Sequence, residues 1–376
     1  MRKLNLSIIL FTVLVLMSCG SGKKALQKGN YSDAVFKSIE RLRSNPTSKN
    51  GLETLQHAYP LAVQTLETEI NEVLSSNDAY KYSIVAEKYQ VLNDMANDIR
   101  RSPAALRIIP SPRSYVSQLA GAKEKAAEET YQAARKMLSQ GDRESAIEAF
   151  YLFERALKYS PGYSDARQRM NQARDLATLK VVVEPIPVPS RYKLNTAFFE
   201  NQLIEYLNKQ QEFVAYFNSK EARKAGRMDQ VLEMEYFDFV IGSTKNNQKE
   251  IEVRSRDSVK VGSTTINGKK VDVFNIVKAK LTTNLRQVSS SGVLQVKIID
   301  MNSKKVLSRR NFPGTYVWET EWASYNGDER ALTKAQFDLC KKKPANPPRP
   351  QDLFYEFTKP IFSQTKNFLR TYYRQY

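Results

Sequence analysis

The chain has 376 residues, 58 Lys and Arg against 40 Asp and Glu for a formal charge of +18, 41% hydrophobic and 10% aromatic residues, one His and two Cys. That apolar fraction supplies a core at a length suited to two domains, and so many aromatics exclude wholesale disorder. A single imidazole excludes two-His zinc sites, the HExxH metalloprotease helix and most His-based acid–base pairs, so composition favours binding or scaffolding over catalysis.

Arg2 and Lys3 precede an apolar run from Leu6 to Met17 that is interrupted only by Ser7 and Thr12. The run is too short to span a bilayer as a helix and has the size of a signal-peptide core. It ends at Leu16-Met17-Ser18-Cys19, a small residue directly before a cysteine, which resembles the bacterial lipoprotein signal. Leu16 and Ser18 fit that pattern and Met17 is a departure at its most permissive position. The resemblance implies cleavage of residues 1–18 and acylation of Cys19; the alternative is an ordinary secretory signal that happens to contain a Cys. Each buried CH₂ of an acyl chain contributes about 0.8 kcal/mol, so several chains anchor the protein permanently. With Cys19 acylated, Cys340 stands alone and no intramolecular disulfide is expected. In Phe337-Asp338-Leu339-Cys340 it reads as a small buried hydrophobe. The linker over 19–24, Gly20-Ser21-Gly22-Lys23-Lys24 after the Cys, holds no acid. It therefore resembles neither the inner-membrane retention signal nor the acidic surface-export signal, and this implies an outer-membrane anchor facing the periplasm.

Residues 25–179 hold few Pro and Gly, and apolar residues recur at helical spacing. Gly29-Asn30-Tyr31-Ser32-Asp33-Ala34, followed by Pro46, places Gly at a turn, an aromatic, a small contact residue and a terminator in an order that resembles a tetratricopeptide repeat. Gly141–Ala146 with Phe150, Ala156 and Pro161 is a second copy, whose longer spacing to Pro161 predicts a second helix almost a turn longer. Between the copies, Leu61–Leu74, Ile84–Ile99 and Tyr115–Ala126 are amphipathic, and Pro103, Pro110 and Pro112 predict an extended break. The region reads as a helical-hairpin, tetratricopeptide-like array: either a protein-binding surface that includes Tyr31, or a spacer lifting the next domain off the membrane. His57, with no second His and no Cys nearby, reads as an ordinary helix residue.

A composition shift opens a second domain over 180–376. Lys180-Val181-Val182-Val183 is the first β-branched run, and prolines at 185, 187 and 189 stop it. A helix over Phe198–Lys209, a strand over Phe213–Phe217 and a polar helix or loop through Arg227 follow. Strands are predicted over Val231–Ile241, Ile251–Ser255 and Val271–Leu281, with Asn267-Gly268 as a two-residue hairpin turn. Val293–Ile299 and Lys305–Phe312 form a hairpin across Asp300–Ser303, and a last helix over Asp352–Tyr373 presents Phe354, Phe357, Ile361, Leu369 and Tyr372. The fold class is α + (α/β): a helical array followed by a mixed-sheet β/α domain.

Gln211–Val214, Asp229–Met234 and the hairpin Leu294–Asp300 with Lys304–Leu307, taken in that order, resemble the envelope β/α domain. That domain is shared by the TolB N-terminal domain, the curli-secretion channel lipoprotein and the lipoprotein activators of peptidoglycan synthases. Ser303-Lys304 stands where that family usually has Gly. The curli channel's membrane hairpins are not carried over, because residues 251–281 are rich in Lys and Arg on both faces.

Gly262–Lys270 has the wrong spacing for a phosphate-binding loop and is better read as a hairpin turn. Glu319, Glu321, Asp328 and Glu329 could be drawn as a carboxylate pair or metal cluster, but exposed sheet carboxylates and a helix cap at Asp328 are the simpler reading. Trp318 and Trp322 suit a packed corner or an aromatic patch, with core packing the expectation. No catalytic, metal or cofactor site is expected. The basic excess lies in the second domain, where residues 180–376 hold 33 Lys and Arg against 21 Asp and Glu, including Lys304, Lys305, Arg309, Arg310, Lys341, Lys342 and Lys343. In an exported lipoprotein this points to lipopolysaccharide, peptidoglycan or an acidic protein face, not nucleic acid, or to a charge that only solubilises. The expectation is a scaffold or accessory subunit of an envelope assembly or secretion complex. The alternatives are an activator of peptidoglycan synthesis and a glycan-acting enzyme.

Overall fold

The computed structural model describes residues 22–188 and 194–376; the signal segment, Cys19 and Pro189 lie outside them. The chain divides into a helical unit ending at Ala177 and a mixed α/β unit beginning at Thr178.

The described helices of the first unit are α1 (Gly22–Gln27), α2 (Tyr31–Ser44), α3 (Lys49–Ser75), α4 (Lys81–Arg100), α5 (Pro103–Ile108), α6 (Val116–Leu138), α7 (Arg143–Tyr159) and α8 (Ala166–Ala177). Their ends follow local chemistry. Ser48, Ser102 and Asp142 accept hydrogen bonds from the backbone N–H groups of Gly51, Ala105 and Ser145, satisfying first-turn donors. Gly29 and Gly141 take φ of +79° and +76° just after α1 and α6, a region where a side chain is strained. The first core gathers Val35, Ile39, Leu42, Leu55, Ile70, Leu92, Met95 and Ile99. Across α6, α7 and α8 the contact is largely alanine, with Ala126, Ala127, Ala134, Ala146, Ala149, Ala156 and Ala173 buried around Phe153. Helix α7 has 17 residues against 14 for α2, as the wider spacing to Pro161 requires.

Two expectations change here. Pro103 does not break the chain: it is the first residue of α5, where its missing N–H costs no helical hydrogen bond. The irregular stretch is only 109–115. Tyr31 is not an exposed contact residue, because it is half-buried against the first core.

The second unit carries a five-stranded sheet in the order β2-β1-β3-β6-β7, with β1 (Leu179–Val183), β2 (Val214–Asn218), β3 (Gln230–Arg254), β6 (Lys278–Asp300) and β7 (Val306–Gly327). Strand β1 runs parallel to β2 and β3, whereas β3, β6 and β7 pair antiparallel, so the sheet is mixed. Helices α9 (Ala197–Leu207) and α12 (Pro350–Tyr373) cover one face, and α10 (Ser219–Ala225) connects β2 to β3. Val181, Val183, Tyr216, Leu232, Met234, Leu294, Val296 and Ile298 alternate inward beneath Phe199, Leu203, Phe354, Phe357 and Ile361. The inner stripe of α12 ends on Tyr373, not on the expected Tyr372: Tyr373 is fully buried and its hydroxyl donates to Gln230 Oε1 at 3.0 Å.

The largest departure from expectation is the length of the strands. Val231–Ile241 and Ile251–Ser255, predicted as separate strands, belong to one 25-residue strand, and β6 and β7 have 23 and 22 residues. Past Gly242, Ser290 and Tyr316 the three strands continue as a ribbon. Two register shifts between Phe237 and Ser243 mark its start, with Asp238 and Gly242 at positive φ and the Gly242 N–H donated to Ser290 Oγ at 3.1 Å. Val271–Leu281 is interrupted at Ile276-Val277 and divides between β5 (Lys269–Asn275) and β6. Beyond the ribbon lies the hairpin of β4 (Val259–Ile266) and β5 (Lys269–Asn275), turning through Asn267 and Gly268 at φ of 49° and 75°. Helix α11 (Lys334–Cys340) packs on β7, where Phe337 meets Tyr325 with ring centroids 6.4 Å apart.

Candidate interaction surfaces

In the helical unit, α4 and α7 both pack against α6 and leave an open groove of 470 Å³. It is lined by Tyr80, Ser83, Ile84, Glu87, Arg155, Lys158 and Tyr159. Ser83 Oγ is buried there without a hydrogen-bond partner. Tyr151 and Arg155, four residues apart, share the face of α7 that continues to Tyr159, and Tyr151 is exposed. Sequence reading missed this groove because its two walls are about seventy residues apart and helical periodicity reports only what is buried.

The basic residues of the second unit do not form one surface. Lys304 and Lys305 sit in the tight turn between β6 and β7, where Asp300 accepts hydrogen bonds from the N–H and Oγ of Ser303 at 2.6 and 2.8 Å. Those bonds hold the Asp300 carboxyl below its ordinary range. Arg309 and Arg310 follow on β7, opposite Lys297 and Val296, and therefore point to opposite faces. Lys341, Lys342 and Lys343 follow α11, which packs beside Tyr325, the partner of Leu281 in the ladder. Leu281 and Ile299 are separated along β6 by about 60 Å at strand spacing. The two clusters expected to act together thus lie at opposite ends of a hairpin. The groove on the sheet near β1 is not basic either: it is lined by Glu184, Glu233 and Glu235, with Lys297 3.6 Å from Glu233.

The acidic residues considered for catalysis are dispersed. Glu319 accepts from Gln287 Nε2 at 2.9 Å across the ladder. Asp328 caps the 3₁₀ turn Glu329–Ala331 and takes two hydrogen bonds from the Arg330 guanidinium, at 2.9 and 2.6 Å. No group of three His, Cys, Asp or Glu among the described residues could hold a metal ion. His57 is exposed on α3. Cys340, expected to be buried, is half-buried as the last residue of α11, and desolvation pushes its thiol pKa up.

The Arg330 side chain and its backbone N–H hold the Asp328 carboxyl down to about 2. An unfolded Asp titrates near 3.9. The folded value is depressed, so the stabilisation is complete above pH ~4 and disappears as pH falls through about 2. Carboxyl-carbon NMR is expected to give a midpoint near 2 for Asp328; a midpoint near 4 would mean that the capped ion pair does not form in solution.

Trp318 and Trp322 are not core residues. Both are half-buried on one face of β7 where the ribbon runs past α9 and α12. Between them Thr320 pairs with Arg286 of β6, whose guanidinium lies 5.4 Å from the Trp322 ring centre.

No family model and no curated protein matches the chain. Among solved structures, a crystal structure described as a neuraminyllactose-binding hemagglutinin homolog from Helicobacter pylori aligns at 11% identity with a TM-score of 0.23. The alignment covers 52% of this chain and 84% of that one, a superposition too loose to transfer fold or function.

Proposed function

We propose that the chain is an outer-membrane lipoprotein, anchored through Cys19 and facing the periplasm. It serves as a scaffold or accessory subunit of an envelope assembly or secretion complex, and its helical, tetratricopeptide-like unit holds a protein partner in the α4–α7 groove. The observation that carries this reading is the groove. It combines two tyrosines and an isoleucine with Arg155, which has no carboxylate partner among the described residues, and with an unpartnered buried hydroxyl on Ser83. Aromatic and arginine side chains are the residue types that dominate protein interfaces. The N-terminal segment supports the anchor, since its short apolar run ends at a small residue and a Cys.

Capture from detergent-solubilised envelope tests the groove. Full-length protein is expected to recover an envelope protein, and Tyr159→Ala with Arg155→Glu to lose it by tenfold or more while helical circular dichroism is unchanged. If the variant retains the partner, the groove is not the docking surface. If both proteins recover only peptidoglycan or its synthases, the second unit is the active part and the activator reading replaces this one. Separately, Cys19→Ser is expected to move the protein from the membrane to the soluble periplasmic fraction; continued membrane fractionation would remove the anchor assignment.

A further inference from the structure

Past α9 and α12 the ribbon presents a row of aromatic, amide and arginine side chains on one face. Residues directly opposite in the β3–β6–β7 ladder share a face, so Trp318, Thr320 and Trp322 line up with Val288, Arg286 and Asn284 on β6 and with Thr244, Asn246 and Gln248 on β3. The two indole rings are four residues apart, about 13 Å along the strand. Arg286 donates from Nε to Asn246 Oδ1 at 3.2 Å and stacks on Trp322. It has no carboxylate partner among the described residues, whereas Lys280, farther along β6, is paired with Glu250 at 3.1 Å. Neither indole N–H has a hydrogen-bond partner among the described residues.

We infer that this face is a binding platform for an acidic polysaccharide, one whose sugar rings carry carboxylates. The ring face of an indole is electron-rich and attracts the weakly positive C–H groups that a pyranose presents on its flat side. Two rings in a row suit a chain of sugars better than a single one. The amides of Asn246, Gln248 and Asn284, the Thr320 hydroxyl and the indole N–H groups supply donors and acceptors for sugar hydroxyls. Arg286, without a carboxylate partner among the described residues, supplies the charge complement and can take a carboxylate through its guanidinium nitrogens. A lipid bilayer would leave the amides unsatisfied. A docked amphipathic helix would need an aliphatic groove, and here the positions between and beside the rings are threonine and amides.

The chain has two Trp residues and both lie in this row, so intrinsic fluorescence of the full-length protein reads the platform directly. Titration with oligogalacturonate is expected to give a saturable change, with the methyl-esterified oligomer and a neutral glucan binding at least tenfold more weakly. Arg286→Gln is expected to lose that preference for the acid while keeping a weak response to both forms. Trp322→Ala is expected to abolish retention in affinity electrophoresis on immobilised polygalacturonate with the circular dichroism spectrum unchanged. Polyglutamate, an anionic chain without sugar rings, is the control for simple charge attraction on a +18 chain. An equal fluorescence response to polyglutamate, or equal binding of the neutral glucan, or no response to oligogalacturonate, each overturns the inference.

Discussion

Replacing Gly314 by alanine is expected to destabilise the mixed α/β unit by about 3 kcal/mol, at the upper end of what overpacking a formed core costs. In a unit of this size that lowers the midpoint of thermal unfolding by about 6–12 °C. A Cβ at this position would stand 2.4 Å from the carbonyl oxygen of Phe357 and 2.6 Å from Ile361 Cγ1. The first of these is backbone of α12, so no rotamer change relieves it; the helix itself must move away from β7. That movement would open the core where Phe354, Phe357 and Tyr236 meet edge to face. The cross-strand partner Gly292 is the internal control. Its Cβ would meet ring atoms of Phe357 and Phe239 at 3.2 and 3.3 Å, which can shift by a few tenths of an ångström, so Gly292→Ala is expected to cost well under half as much. Calorimetry on both variants decides the matter. If Gly314→Ala unfolds at the wild-type temperature, α12 does not rest on the backbone of β7.

These two glycines show what the sequence made legible and what it hid. The strand β1 announced itself through three consecutive valines, the β4–β5 turn through Asn267-Gly268, and α12 through an apolar stripe that was misplaced by only one residue at Tyr373. Each of these signals is local, and one face of β1 and of α12 is pressed against the core. The ribbon had no such signal. Between Thr244 and Lys249 neither face of β3 is covered by a helix, so nothing selects an alternation of apolar and polar residues and the segment reads as a loop. Its strand character comes from continuous pairing with β6, which a single sequence does not display. The same reason hid the role of Trp318 and Trp322. Two tryptophans at even spacing look like core when the strand is assumed to end inside the domain, and become a surface row only when the strand is seen to run beyond α12. The basic clusters misled in the opposite sense. Lys304 and Lys341 both belong to the charge excess of the second domain, yet β7 runs its full length between them.

In the helical unit the largest single-residue effect is expected at Phe153. It is fully buried in α7, with Tyr131 set edge-on at 5.7 Å. Phe→Ala in a core costs about 3–5 kcal/mol, rising with the cavity that remains. Here the surrounding helices meet through Ala126, Ala127, Ala134, Ala149 and Ala156, which have no side-chain freedom with which to fill the space. Closing the cavity would require α6 and α7 to shift as rigid bodies, and the hydrogen bond from the Tyr131 hydroxyl to Asp165, itself paired with Arg169 at 2.8 Å, ties α6 to the start of α8. Phe153→Ala is therefore expected at the high end of that range, and Phe153→Leu, which leaves much of the volume occupied, at about 1–2 kcal/mol. Urea unfolding followed by far-UV circular dichroism measures this, since neither tryptophan lies in the helical unit. The midpoint should fall with an unchanged slope, the mark of lost stability without a change in the surface exposed. Because α7 also forms one wall of the proposed docking groove, partner capture by Phe153→Ala should persist in the cold and fail on warming, whereas the Arg155 and Tyr159 changes should abolish it at every temperature. A Phe153→Ala protein that unfolds like the wild type would show that the alanine seam does collapse, and that α6 and α7 are free to slide toward each other.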